Sequence, residues 1–307
     1  MSSENPLTPG LYLVATPIGN LDDITLRALD VLKRADRIAC EDTRQTQKLL
    51  NHYGITTPTI SCHEHNERSR AAELIAAIQD GQAIAVVSDA GMPGISDPGA
   101  LLAKEAIAAG VSIVPIPGAN AALSALVGSG LTTSEFRFLG FLPEKTGARR
   151  TRLEDLAAGP RASAETLIFY EAPHRIAGTL ADIEAVWGTD LRIAIARELT
   201  KIHEEFLRGT VVEIRNELAS RDRIRGEFVL LVEAPAKTAS SLGAPGVASE
   251  SGAGASLAQE SVSSRVTRMQ TELGVDEKEA LKRIARELGQ SKSEVYRELQ
   301  RERARRR

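Results

Sequence analysis

A chain of 307 residues, 42% of them hydrophobic, is too long for a minimal module and long enough to bury two cores and carry an appendage. Its formal charge of −3 hides an asymmetry: from Ser263 to Arg307 there are 13 Lys and Arg against 8 Asp and Glu, which leaves an acidic body ahead of a basic tail. Two cysteines, Cys40 and Cys62, suit free thiols in a reducing compartment; with no basic-then-apolar leader and no run of eighteen apolar residues, a cytoplasmic protein without a membrane partner is expected.

Leu11 to Ala15 reads as the first strand and runs into the loop Thr16-Pro17-Ile18-Gly19-Asn20, after which Asp22 or Asp23 caps a helix through Lys33. Arg37 to Cys40 is a second short strand, and Glu41-Asp42-Thr43-Arg44 opens the next helix. Carboxylates in a first helical turn answer the helix dipole, but these also stand at the same sheet edge as the preceding loop, so both uses stay open. Thr59 to Cys62 leads into His63 and His65 and a helix from Arg68 to Gln79. The two histidines alternate like strand-type metal ligands, yet no third ligand follows at a fitting spacing, so no metal is expected and contact with nucleic acid or cofactor is preferred.

Ala83 to Val87 is an apolar strand followed by SDAGMPGISDPG, Ser88 to Gly99, and then by a helix from Ala100 to Ala109. Three glycines and two prolines in twelve residues let a ligand approach the main chain, and Asp89 and Asp97 add acceptors at either end. Neither a Gly-Lys-Ser/Thr ending nor a G-x-G-x-x-G spacing is present, which disfavours an ATPase or a nicotinamide enzyme. Ser112 to Ile116 is another strand, turned by Pro117-Gly118-Ala119-Asn120-Ala121 into a small-residue helix whose amino end can receive an acceptor-rich ligand. Repeated strand, loop and helix units to about Val127 predict a mainly parallel first domain, 1–128.

Gly128-Ser129-Gly130 marks the boundary of a second α/β domain, 129–235. Strands are expected at Phe136 to Leu142, Thr166 to Tyr170, Arg192 to Ala196, Glu205 to Ile214 and Glu227 to Val232, with helices at Arg149 to Leu156 and His174 to Val186. The later strands follow one another without long helices, which predicts a mixed sheet. Residues 236–261 are rich in Ala, Gly and Ser and read as a flexible linker. Beyond it, 262–307 reads as a basic helical module: Val262, Val266, Met269 and Leu273 have helical spacing, Asp276 to Leu288 is amphipathic, and Ala285, Gly289 and Val295 have helix-turn-helix offsets. Packing unit and nucleic-acid reader remain equally open, with the terminal RERARRR favouring phosphate contact.

The segments ATPIGNLDDIT, EDTR, SDAGMPGISDPG, PGANA, GFLPEK, YEAPHR and ARELTKIHEE, in this order over about Leu11 to Pro235, resemble the tetrapyrrole methylase superfamily. Within it they are most similar to the enzymes that methylate the ribose 2′-oxygen of a decoding-centre cytidine in 16S ribosomal RNA. The wider superfamily shows a G-x-G-x-G-D type first loop, of which this chain keeps only Gly19. The resemblance implies two α/β domains of the tetrapyrrole methylase type around a cofactor cleft, S-adenosylmethionine as cofactor, 16S rRNA in the small subunit as partner, and a homodimer. It places cofactor contacts at Thr16, Pro17, Gly19, Asp89, Ala90, Gly91, Met92, Pro93, Gly94, Pro117, Gly118, Ala119 and Ala121, with Tyr170, Glu171 and Ala234 closing the cleft.

A ribose hydroxyl is a poor nucleophile at neutral pH, so a proton acceptor or strict alignment must help; Glu41, Asp42, His65 and Glu171 are the candidates, and Arg44, Arg175 and Lys201 are candidates to hold RNA phosphates. A small-molecule tetrapyrrole methylase and a noncatalytic RNA-binding protein are the competing functions. The first has no need of the basic tail, and the second has no use for the glycine-rich loops.

Overall fold

The structure, a computed structural model, describes residues 6–63, 66–97, 99–158, 164–234, 266, 276–288, 295–297 and 299–301. The predicted linker and His65 lie outside the described residues, as do Val262, Met269, Leu273 and Gly289 of the tail. The two sheets belong to one compact unit and the C-terminal residues to another.

In the first sheet, β1 (Gly10–Val14), β2 (Arg37–Cys40), β3 (Thr59–Ser61), β4 (Ala83–Val87) and β5 (Ile113–Ile116) are all parallel, in the order β3-β2-β4-β1-β5. Side chains alternate between two buried faces. Tyr12, Val14, Ile38, Ala85 and Val87 join a core with Val31 and Leu32 of α1 (Leu26–Arg34) and Leu50 of α2 (Thr43–His52). Leu11, Ala39, Ile84 and Val86 join the other core with Leu74 of α3 (Glu67–Gln79) and Leu102 of α4 (Ala100–Ala108). Strands buried on both faces read as unbroken apolar runs, which is why AIAVV is uniform. The first helix begins later than the sequence suggests: Leu21–Asp23 is a separate 3-10 turn, and the Thr25 hydroxyl caps α1 by accepting from the Ala28 N–H.

The second sheet has the order β6-β7-β10-β8-β9, built from β6 (Phe136–Phe141), β7 (Thr166–Glu171), β8 (Arg192–Arg197), β9 (Glu205–Thr210) and β10 (Phe228–Glu233). It is mixed, with β6 parallel to β7 and the other pairs antiparallel. Leu167, Phe169, Ile193, Ile195 and Leu230 pack beneath α6 (Thr146–Ala158), α7 (Ile176–Trp187) and α8 (Val211–Ala219). On the opposite face lies α5 (Ala121–Ser129), whose Ala122, Ala125 and Leu126 meet Ile168, Ala194 and Leu231. The chain therefore crosses to the second sheet at the start of α5. A Cβ on Gly128 would stand 2.5 Å from the Phe206 ring, so glycine lets this helix lie close to β9.

The expected strand from Glu205 to Ile214 ends at Thr210. There the Thr210 hydroxyl accepts from the Glu213 N–H while the Glu213 carboxylate accepts from the Thr210 N–H, a capping box that starts α8. Val211, Ile214 and Leu218 are the buried positions, at helical rather than strand spacing. In the C-terminal unit, Ala280, Leu281, Ile284 and Ala285 of α9 (Glu277–Leu288) cluster with Val266, Val295 and Leu299, which is the packing of a small helical module.

One buried acid fixes the end of the long loop after β4. The Glu67 carboxylate, at the start of α3, accepts from the N–H groups of Gly99 and Leu102, at 2.8 and 3.2 Å, and so caps α4, whose own N-cap residue is a glycine without a side chain to do so. Replacing Glu67 with Ala should lower the unfolding free energy by about 1.5–3 kcal/mol, the range for charge-assisted bonds to buried donors, with a smaller loss for Glu67→Gln. Urea unfolding checks this, and an unchanged midpoint in Glu67→Ala would show that the carboxylate does not anchor the loop.

Candidate active site

In a parallel sheet, the loops at the carboxyl ends of the strands share one edge, and the crevice forms where neighbouring strands send their helices to opposite faces. Here β1 and β4 are those neighbours, with α1 on one face and α4 on the other. Their loops are joined by two backbone hydrogen bonds, Thr16 N–H to Gly91 O at 2.9 Å and Gly91 N–H to Thr16 O at 3.1 Å. The buried Thr16 hydroxyl donates to the Ser88 carbonyl at 3.1 Å. Gly91, at a φ of +83°, makes the turn that returns the loop to this contact.

The cavity that results is about 340 Å³, walled on one side by Ile18, Ala90, Gly91, Met92, Ile95, Ser96, Asp97, Asn120 and Ala121. The second sheet supplies Phe141, Tyr170, Glu171, Ala172, Pro173, Ala196, Leu199, Glu227, Phe228 and Val229. Tyr170 is held by edge contacts with Phe138 and Phe141, at centroid distances of 4.9 and 5.8 Å. Burial raises its hydroxyl above the usual tyrosine range, a backbone hydrogen bond with Ala122 offsets part of the rise, and the Asp97 charge adds to it.

Several predicted contacts line this cavity: Ala90, Gly91, Met92, Ala121, Tyr170 and Glu171. Others shape it from behind. Gly118 lies so near β1 that a Cβ would stand 2.8 Å from the Ala15 Cβ, which seats the 117–120 loop, and Asn120 caps α5 by accepting from the Leu123 N–H. Gly19 serves the approach of the two halves, since a Cβ there would collide with Lys201 at 2.5 Å and Thr200 at 2.7 Å, and the next N–H, of Asn20, bonds the Thr200 hydroxyl. Thr16, Pro17, Asp89, Pro93, Gly94, Pro117 and Ala119 are outside the lining, though Thr16 and Asp89 fix loops that belong to it. Ala234 is buried in the core under the second sheet, with its N–H bonded to Glu165 O.

The charged candidates are differently engaged. Asp42 caps α2 by accepting from the Arg44 N–H at 2.8 Å and also binds the Arg44 guanidinium at 2.9 and 3.1 Å; these Arg44 bonds hold its carboxyl at about 2. Its own N–H donates to Asp89 Oδ1 at 3.2 Å. Arg44 remains 87% exposed and lines a polar groove with Thr43, Gln47, Lys48, Asn51 and Thr59. Glu171 is buried and accepts from the Ala172 N–H at 2.9 Å and the Thr179 hydroxyl at 2.6 Å, while Arg175 Nε lies 2.9 Å away. Arg175 also donates to the Leu142 carbonyl, so its guanidinium braces the interior of the second half. Lys201 Nζ bridges Glu198 and Glu227, 3.0 Å from each.

Asp97 lines the cavity but has no assigned role in the sequence reading, which names it only as a loop acceptor. Burial, then the charges of Glu41 and Asp89, push its carboxyl up to about 6, with a small offset from Ser88. Its signal was its place in SDAGMPGISDPG; Asn120 and Phe141 likewise sit inside PGANA and GFLPEK. Leu199, Glu227 and Val229 reach the cavity only through the strand order. Cys40 and Cys62 are free and buried, and burial holds the Cys62 thiol at about 11. Among the described residues no three His, Cys, Asp or Glu side chains are grouped to hold a metal ion, and no helix is long and apolar enough to cross a membrane.

Comparison with known proteins places the chain in a family. The family described as Tetrapyrrole (Corrin/Porphyrin) Methylases matches residues 10–215. The chain is 53% identical over 223 residues to "Ribosomal RNA small subunit methyltransferase I" of Halalkalibacterium halodurans, covering 73% of this chain and 75% of that protein. It is 52% identical to the protein of the same name from Bacillus subtilis, covering 73% and 74%. Among solved structures, uroporphyrin-III-C-methyltransferase from Thermus thermophilus aligns at a TM-score of 0.52 and 20% identity, covering 74% of this chain and 94% of that one. Diphthine synthase aligns at 0.54 and 16%, covering 73% and 89%. These two show a shared fold. The parallel sheet, the mixed sheet and the cleft between their loops are thus the architecture of a known group, and the chain belongs to the tetrapyrrole methylases.

Proposed function

We propose that the protein transfers a methyl group from S-adenosylmethionine to the ribose 2′-hydroxyl of a decoding-centre cytidine in 16S ribosomal RNA. The observation that carries this reading is the identity of about one residue in two with proteins named as methyltransferases of small-subunit ribosomal RNA. The cavity fits the cofactor. Its volume falls in the range for small-molecule sites, and Met92, Ile95, Phe141, Tyr170 and Phe228 offer apolar and aromatic surface for a purine. The cofactor supplies an electrophilic methyl group on a sulfonium.

Protein residues supply position. The Thr16 and Gly91 bridge and the Glu67 cap hold both ends of the cavity-wall loop, so the acceptor hydroxyl meets a wall whose ordering cost is met on folding. For the RNA, Arg44 is the predicted phosphate ligand that stays open to solvent, oriented by its paired bonds to Asp42, and Lys48 extends the same groove. Arg175 and Lys201 support the site indirectly, through Glu171 and Glu227. A cytoplasmic location and pairing with a second copy belong to the same reading.

Methylation of a 2′-oxygen blocks alkaline cleavage of the adjacent phosphodiester, which separates ribose from base as the target. Small subunits lacking the modification, incubated with protein and cofactor, should acquire one alkali-resistant linkage at a decoding-centre cytidine. Methyl incorporation that stays alkali-sensitive would move the target to a base, and transfer only to a porphyrinoid would move the function to small-molecule methylation.

The tail supplies a second test. Removing residues from Ser263 should leave cofactor affinity unchanged but weaken RNA binding and flatten its dependence on salt, since fewer counterions are released. Equal salt slopes for full-length and shortened protein would make the tail a packing element.

A further inference from the structure

This inference rests on the reading just given, in which a weakly nucleophilic hydroxyl must lose its proton. The carboxylates near the cavity differ in how free they are to accept one. Asp42 is a weak base, held at about 2 by the Arg44 side chain and N–H. Glu171 is 1% exposed at its side chain and already accepts from the Ala172 N–H and the Thr179 hydroxyl beside the Arg175 guanidinium, so a proton there would break a buried network. Glu227 is paired with Lys201, and its side chain is 80% exposed. Asp89 accepts from the Asp42 N–H.

Asp97 is placed otherwise. It stands in the cavity wall, and the charged groups that act on it are the acids Glu41, from the end of β2, and Asp89, from the end of β4, with the Tyr170 phenol of β7 facing from the second sheet. Ser96, directly before it, sits at a φ of +61°, a conformation a serine adopts only when its surroundings impose it. Gly94 and Gly99 on either side are also at positive φ, +82° and +120°. Ser96 Oγ is 3.5 Å from where a Cβ on Gly140 of β6 would stand, so the turn that presents Asp97 rests against the second sheet.

We propose that Asp97 accepts the proton of the acceptor hydroxyl during methyl transfer. The oxygen–methyl bond forms as the sulfur–methyl bond breaks, the sulfonium leaves as a neutral thioether, and the hydroxyl proton passes to an Asp97 carboxylate oxygen. Burial and the two neighbouring acids raise this carboxyl from 3.8 to about 6, so it is ionised at neutral pH and far more basic than an ordinary aspartate. The sign follows: only the ionised form accepts a proton, so the rate should climb as pH rises through about 6 and level off above it. Removing the negative neighbour in Glu41→Gln should move the climb to lower pH.

The test uses the full chain, small subunits lacking the modification, and S-adenosylmethionine. Single-turnover rates from pH 5 to 8, calorimetric cofactor affinity, and carboxyl-carbon NMR titration of the free protein are measured for wild type, Asp97→Asn, Asp97→Glu and Glu41→Gln. With cofactor saturating, Asp97→Asn should slow transfer by roughly 10²–10⁴-fold and abolish the climb near pH 6. Asp97→Glu should recover part of the rate, and the NMR signal titrating near 6 in wild type should vanish in Asp97→Asn and shift down in Glu41→Gln. Retained rate and pH profile in Asp97→Asn would overturn the proposal, as would a loss of cofactor affinity that accounts for the whole defect. Wild-type protein that methylates no small-subunit RNA, with the NMR titration intact, would instead overturn the functional reading beneath it.

Discussion

The paired backbone bonds between Thr16 and Gly91 are the constraint on which the site depends. Adjacent parallel strands whose helices depart on opposite faces leave a crevice, but a crevice alone does not fix a long loop. Here the loop after β4 is fastened near its start to the loop after β1, and at its end to the Glu67 carboxylate. Met92, Ile95, Ser96 and Asp97 lie between the two fastenings and form one wall of the cavity. The glycines have separate purposes within this plan. Gly91 supplies a positive φ, whereas Gly19 and Gly118 supply missing volume where one segment must lie against another.

Charge is distributed with the same selectivity. Three acids of the region face a cation: Asp42 with Arg44, Glu171 with Arg175, and Glu227 with Lys201. Their carboxylates work as struts, capping a helix, bracing the interior or tying down a loop. Glu41, Asp89 and Asp97 converge at the carboxyl edge of the parallel sheet, where burial and then like charges act together on Asp97. The result is a contrast between a carboxyl at about 2 and one at about 6 along a single sheet edge.

Much of this was legible in the residues. Unbroken apolar strands joined by glycine-rich loops to helices pointed to a mainly parallel first domain, and SDAGMPGISDPG and PGANA both contribute to the cavity. What escaped was information carried by tertiary contacts. Val211 and Val212 extended a strand pattern through Ile214, although the capping residues Thr210 and Glu213 were there to be read. α5 looked like the last element of the first domain because its small residues do not say which sheet they touch. Nor could the residues alone show that Arg175 and Lys201 have the partners Glu171, Glu198 and Glu227, or that Ala234 packs in the core under the second sheet. Asp97 passed as a loop acceptor because its raised basicity comes first from burial and then from acids 56 and 8 positions away in the sequence, at Glu41 and Asp89.

The central claim is that the cleft between the two sheets, walled by the loop after β4, is the cofactor site. The most direct measurement is a crystal structure of the protein grown with S-adenosylmethionine. The expected result is cofactor density in the cavity against Met92, Asn120 and Tyr170, with the Thr16 and Gly91 bonds intact. Density in the polar groove beside Arg44 and Lys48 with none between the sheets would contradict it.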